Sequence, residues 1–135
     1  MRDFTWPVRV YYEDTDAAGL VYHTNYLKFM ERARTEWLRQ GGHSQERLRA
    51  DQRIIFVATA IAIRFMKPAF IDDQLEVSSR IAGSGGASLI FHQSIRRKDG
   101  EYLCRAEVKV ACLDTGTMKP RRIPTSIRTG LEHAN

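Results

Sequence analysis

The chain has 135 residues, 43% of them hydrophobic and 27% charged, with a formal charge of +5. That balance excludes a disordered chain, and the length suits one domain, residues 1–135, that buries roughly two-thirds of its unfolded surface. The basic residues are scattered, with short runs only at Arg96-Arg97-Lys98 and Lys119-Pro120-Arg121-Arg122, which leaves a solvated face or an anionic-ligand patch open and gives no nucleic-acid signature.

In chain order, Met1 to Pro7 has no apolar core of the kind a signal peptide needs. Val8, Val10 and Tyr12 alternate with Arg9 and Tyr11, which predicts a half-buried strand. Asp14 to Thr24 is a polar connection containing Gly19. From Asn25 the period changes: Tyr26/Leu27, Met30, Ala33, Trp37 and Leu38 recur at helical spacing, and Gly41-Gly42 ends the helix. Thr24 and Asn25 are both candidate N-caps. Ser44 is placed to cap a short second helix reaching Ala50.

The remainder reads as strands. Ile55, Val57, Thr59, Ile61, Ile63 and Phe65 share one face, with Ala58, Ala60 and Ala62 on the other. This run from Ile54 to Ile63 is the longest apolar stretch, ten residues, about half of what a membrane helix needs. Leu75 to Ile81 and Leu89 to Ile95 follow, separated by a turn at Gly83-Ser84-Gly85-Gly86, and Asp99-Gly100 signals a hairpin. Tyr102, Cys104, Ala106, Val108, Val110 and Cys112 alternate against Leu103, Arg105, Glu107 and Lys109. Cys104 and Cys112 then share a face too far apart to bridge, so both are expected as buried free thiols of a cytoplasmic protein. The tail from Asp114 reads as irregular. The expected architecture is α+β: an antiparallel sheet of five strands, the last four in meander-like succession, wrapped around one long helix.

Chemistry concentrates at the first strand–helix junction, Tyr12-Glu13-Asp14-Thr15-Asp16-Ala17-Ala18-Gly19-Leu20-Val21-Tyr22-His23. A helix N-terminus presents unpaired N–H donors, and a carboxylate beside them is the equipment for hydrolysing an activated acyl group. Asp16, nearer the helix, is the candidate base or nucleophile, and Asp14 its neighbour. A cap or turn role is the bland alternative for Asp16, and a structural role for the His23 side chain. The His23 backbone N–H is the candidate oxyanion donor. Gly19 serves either as a turn glycine or to let a ligand approach the backbone. Ser88 serves either as a turn serine or as a hydrogen-bonding partner of the ligand. Glu31 and Arg34 read as a surface pair. Asp14, Asp16 and His23 leave a divalent metal open in principle. The chain has no nucleophile elbow and no phosphate-binding loop, and its single long helix does not supply the repeated crossovers of the aspartyl phosphatases.

Those residues resemble the hot-dog-fold acyl-CoA thioesterases, within them the 4-hydroxybenzoyl-CoA thioesterase superfamily and its YbgC-type, Tol–Pal-associated branch. Trp6 to Asp16, Gly19 to His23 and Tyr26 carry the resemblance, with Glu31 to Glu36 and Met118 to Arg121 in support. The resemblance implies a homodimer with a continuous sheet, often a tetramer, with active sites at the subunit interface. It implies catalytic roles for Asp16 and His23, and substrate binding by Gly19, Tyr22 and Ser88. Neither a metal nor a cofactor is expected, CoA being part of the substrate; acyl carrier protein is an expected partner, either as acyl donor or as the target of an adaptor with vestigial hydrolysis. One departure stands out. The hydroxybenzoyl-specific enzymes carry basic residues that hold CoA phosphates where this chain has Gly85-Gly86-Ala87, with Lys67, Arg64 and the Arg96–Lys98 run as possible substitutes.

Overall fold

The computed structural model describes residues 3–134. Five strands, β1 (Phe4–Arg9), β2 (Ile54–Phe65), β3 (Gln74–Ser84), β4 (Ser88–Arg97) and β5 (Tyr102–Asp114), form one antiparallel sheet in the order β1-β3-β4-β5-β2. Helix α1 (His23–Gln40) lies across its inner face. The short α2 (Gln45–Arg47) follows, capped by the Ser44 hydroxyl, which accepts from the Arg47 N–H at 3.0 Å. Helix α3 (Thr125–Ala134) follows β5.

Helix α1 turns Tyr26, Met30, Ala33 and Leu38 onto the sheet, as the periodicity predicts, together with Phe29, which that pattern left out, while Leu27 and Trp37 are half-buried. They meet Leu75, Val77, Ile81, Phe91, Ile95 and Val108, all buried. Complete burial of a side chain such as Phe29 or Met30 contributes roughly 1.5–3 kcal/mol each. Cys104 and Cys112 are buried free thiols, and burial pushes Cys104 up to about 12. Pro7, which donates no ladder hydrogen bond, is tolerated because β1 is an edge strand.

Several expectations are corrected. Strand β1 ends at Arg9, and Tyr12 lies exposed in a single 3₁₀ turn, Tyr12–Asp14. Local bonding wins there: the Asp14 N–H donates to the Tyr11 carbonyl and the Tyr11 N–H to the Asp14 carboxylate. Helix α1 begins at His23 with Tyr22 in the cap position, so Thr24 and Asn25 are inside it and cap nothing.

The last four strands are not one meander. β3, β4 and β5 are, but β2 and β3 lie at separate places in the sheet, joined by the 66–73 connection. The Met66 and Lys67 N–H groups both donate to the Leu103 carbonyl, and Leu103, expected on the outer face, is fully buried.

A bulge between Ala58 and Ala60 reverses the faces of β2. Before it, Ile54, Phe56 and Ala58 sit opposite Asp114, Cys112 and Val110; after it, Ile61, Ile63 and Phe65 sit opposite Val108, Ala106 and Cys104. The one-face expectation for Ile55 to Phe65 therefore holds only in the second half. The glycine turn is also narrower than expected, because β3 runs on through Gly83 and Ser84.

The tail is not irregular throughout. Ile123 and Ile127 are buried, and the Pro124 carbonyl accepts the Ile127 and Arg128 N–H groups to start α3. Proline near a helix start is favourable, so Pro124 is compatible with the helix that follows it.

Candidate active site

The 15–22 loop is fastened at both ends before it offers any chemistry. Asp14 is buried, and both carboxylate oxygens are engaged: Oδ1 accepts from Asn25 Nδ2 at 2.9 Å and Oδ2 from the Tyr11 N–H at 2.8 Å. The Tyr22 N–H donates to the Asp14 carbonyl at 2.9 Å. Asp14 is thus a latch between the loop and the first turn of α1. Its inward turn leaves it out of any shared metal site with Asp16 and His23. No group of three His, Cys, Asp or Glu side chains suited to a metal ion occurs among the described residues.

Asp16 faces solvent. Its Oδ1 accepts the Ala18 N–H at 2.9 Å and the Leu20 N–H at 3.2 Å, while Oδ2 has no protein partner among the described residues. The Asp16 N–H donates to the Leu20 carbonyl at 2.7 Å, and the Gly19 N–H to the Asp16 carbonyl. Closing this loop requires φ +83° at Gly19, a left-handed conformation that glycine adopts without strain. One oxygen is therefore fixed by backbone donors and the other is left for chemistry.

His23 is the first residue of α1, and its N–H and that of Thr24 meet no acceptor among the described residues. Together with the helix dipole they make this end attractive to developing negative charge. The exposed His23 ring lies tilted against Tyr22, 4.4 Å between centroids, and at 6.4 Å makes an edge contact with Phe65. Asp16, Gly19, Tyr22 and His23 accordingly share one exposed corner. Ser88 does not join them. It sits opposite Ala111 at the start of β4, whereas Phe65 pairs with Cys104, itself opposite Ile95 near the end of β4. At about 3.3 Å per residue, the two rows are roughly 20 Å apart.

Sequence reading missed the support beneath the loop. The Val21 N–H donates to the Ala69 carbonyl, the Ala69 N–H donates to the Tyr26 hydroxyl at 2.9 Å, and Leu20 bridges to Phe70. Burial pushes the Tyr26 phenol up from its ordinary value, which keeps it neutral; its bond from Ala69 acts in the opposite sense. Arg97 clamps the same segment, reaching the Pro68 carbonyl, Asp73 and Glu101 and lying 5.5 Å over the Phe70 ring. The Asp99-Gly100 turn marked this hairpin, but nothing in the pattern pointed Arg97 at Pro68.

Arg34 is also not half of a surface pair. Its guanidinium turns in and donates to Gln93 Oε1 at 2.9 Å, and burial lowers its affinity for the proton. Gln93 is buried and donates in turn to the Met30 carbonyl and the Ser79 hydroxyl. Glu31 instead accepts from the Thr35 hydroxyl. Beside Arg34 lies a cavity of about 300 Å³ walled by Trp37, Leu38, Phe56, Leu89 and Phe91.

Comparison with known proteins decides the family. Residues 10–131 match the model of the thioesterase-like superfamily. The chain belongs to that family. An acyl-CoA thioester hydrolase YbgC from Escherichia coli O157:H7 is 49% identical over 124 residues, 92% of each chain. An acyl-CoA thioesterase YbgC from Haemophilus influenzae is 45% identical over 130 residues, 96% of this chain and 95% of that one. Among solved structures, a probable thioesterase from Bartonella henselae superposes with TM-score 0.87 at 36% identity, covering 91% of this chain and all of the other. These thioesterase relatives span nearly the whole of the present chain, and the sheet wrapped on α1 is the hot-dog fold that the motif implied.

Proposed function

We propose that this thioesterase hydrolyses acyl-CoA to the free acid and CoA, with short-chain or acyl-carrier-linked substrates preferred, at the corner formed by Asp16, Gly19, Tyr22 and His23. One observation carries the reading: the Asp16 carboxylate is fixed through one oxygen and free at the other, in the loop that leads into the unpaired N–H groups that begin α1. The thioester carbonyl binds at those N–H groups, which stabilise the oxyanion as it forms. The free Asp16 oxygen attacks the carbonyl carbon or takes a proton from the attacking water. Either route breaks the C–S bond and releases CoA as thiolate; after direct attack, water hydrolyses the resulting Asp16 acyl anhydride, releasing the free acid and restoring the carboxylate. Tyr22 and the His23 ring flank the acyl group.

The proposed assembly is a homodimer joined through β2, and the dimers pair as a tetramer. β2 is a sheet edge of twelve residues with Ile61 and Phe65 exposed, a template for strand pairing. Antiparallel pairing of two copies brings the Ser88 end of one sheet beside the His23 end of the other. Ser88 and the 300 Å³ cavity then serve the second copy's Asp16, the cavity taking the acyl chain.

The same pairing supports a nucleotide grip from the tail, in place of the basic residues absent at Gly85-Gly86-Ala87. The Arg128 guanidinium donates to the Gly85 carbonyl at 3.2 Å, and Arg122 precedes Ile123, whose N–H donates to the Gly86 carbonyl. No helix among the described residues is long and apolar enough to cross a membrane, and the two thiols without disulfide partners support the cytoplasm as its compartment.

Replacing Asp16 with Asn keeps the loop's acceptor oxygen and removes the base. Steady-state hydrolysis of a panel of acyl-CoAs should fall by about 10²–10⁴-fold in kcat, with the thermal midpoint preserved. Near-full turnover by a folded Asp16→Asn protein overturns the assignment.

A further inference from the structure

We propose that the outer face of the sheet carries a second anion site, separate from the acyl-CoA corner, which binds a ligand bearing two or more phosphate charges. Two adjacent rows build it. Across β3, β4, β5 and β2 the first row reads Arg80, His92, Glu107, Ala62 and the second Ser78, Ser94, Arg105, Arg64. A depression of about 580 Å³ lies over them, lined by Arg64, Arg80, Arg105, His92, Ser78 and Ser94.

The charge arrangement departs from that of a merely solvated strand face. Arg64 lies directly opposite Arg105, a pairing that like charges make unfavourable. No carboxylate lies within ion-pair distance of Arg64, Arg80 or Arg105 among the described residues. The nearby acids are engaged or peripheral. Glu107 meets His92 at 3.1 Å, Glu76 meets Arg96 at 3.5 Å, and Asp3 also lines the depression.

Arg105 is held in place, its guanidinium 4.4 Å from the centre of the Tyr102 ring. The half-buried Ser78 and Ser94 hydroxyls supply neutral donors between the arginines. Planar guanidinium forks around hydroxyl donors match the oxygens of phosphate. Strand alternation separates this pit from the candidate active site: Phe65, against His23, faces inward, and its neighbour Arg64 faces outward.

The test titrates inorganic pyrophosphate into the full-length protein by calorimetry, and in parallel sediments the protein with phosphatidylcholine vesicles with and without phosphatidic acid. Both are repeated with Arg80→Ala/Arg105→Ala and with Arg105→Lys, with thermal midpoints and acyl-CoA kinetics measured alongside. The double variant should bind at least about tenfold more weakly, the lysine variant in between, and KM for acyl-CoA should be unchanged. Saturable pyrophosphate binding identifies a soluble phosphate ligand; vesicle binding that needs phosphatidic acid identifies a lipid headgroup. The proposal is overturned if wild type binds neither, or if the folded double variant binds as tightly as wild type. A matching rise in KM for acyl-CoA also overturns it, because the pit would then belong to the CoA grip.

Discussion

Removing one atom, the oxygen of the Tyr26 hydroxyl, tests whether the 66–73 connection holds up the 15–22 loop. The ring is anchored independently of that oxygen, edge-on to Phe29 at 6.4 Å and to Phe65 at 5.5 Å between centroids. Tyr26→Phe therefore preserves the packing and strips the acceptor from the Ala69 N–H. Ala69 is fully buried, so water does not readily replace it. An unsatisfied buried donor costs about 1–3 kcal/mol. For a domain of 135 residues each kcal/mol lowers the thermal midpoint by about 3 °C, which predicts a fall of about 3–9 °C by calorimetry. The same substitution should lower kcat more than it raises KM, because the Ala69 carbonyl holds the Val21 N–H two residues before His23. A midpoint within about 1 °C of wild type would refute the reasoning, since the Ala69 N–H would then have another partner.

Two further outcomes are expected. Lys67 and Arg97 hold the Glu101 carboxyl below its ordinary value near 4.5, so its contribution to stability is present above that pH and is lost as pH falls through the folded value. Thermal midpoints of wild type and Glu101→Gln should thus differ at neutral pH and converge as pH drops below about 4.5; a gap that widens in acid contradicts the sign. Ile61→Lys places a charge on the apolar β2 edge and should shift the protein toward monomer in light scattering, with hydrolysis lost in proportion to dimer. A monomeric variant that keeps full turnover would exclude a shared active site.

The fold was legible where one face of an element is buried and the other wet. Helix α1 and the inward row of β5 from Cys104 to Cys112 show their periods plainly, because the core sits on one side of each. The bulge at Ala58/Ala60 was not legible: an unpaired extra residue leaves no mark in a run that is apolar on both faces. Strand pairing was not legible either, since alternation says which side is buried and nothing about which strand lies next door. At the site, a carboxylate-bearing loop leading into a helix could be read from the local motif, but the helix begins at His23, ahead of the expected caps Thr24 and Asn25. The separate fates of Asp14 and Asp16 depend on Asn25 reaching back to Asp14, and the support from Tyr26 and Arg97 depends on segments more than forty residues away. Ser88 illustrates the limit, because the role proposed for it beside Asp16 requires a second copy of the chain.

The sheet order also has a consequence for synthesis. The 12–23 motif leaves the ribosome before the segments it leans on: among the described residues β1 pairs only with β3, and the loop is fastened to Ala69. Strand β2 waits longer still, because its partner in the chain is β5, which ends at Asp114. At about 5–20 residues per second, the nascent chain carries Ile54–Phe65 without a neighbour for several seconds. During that interval its most apolar segment is open on both edges, and a chaperone would find its binding stretch there.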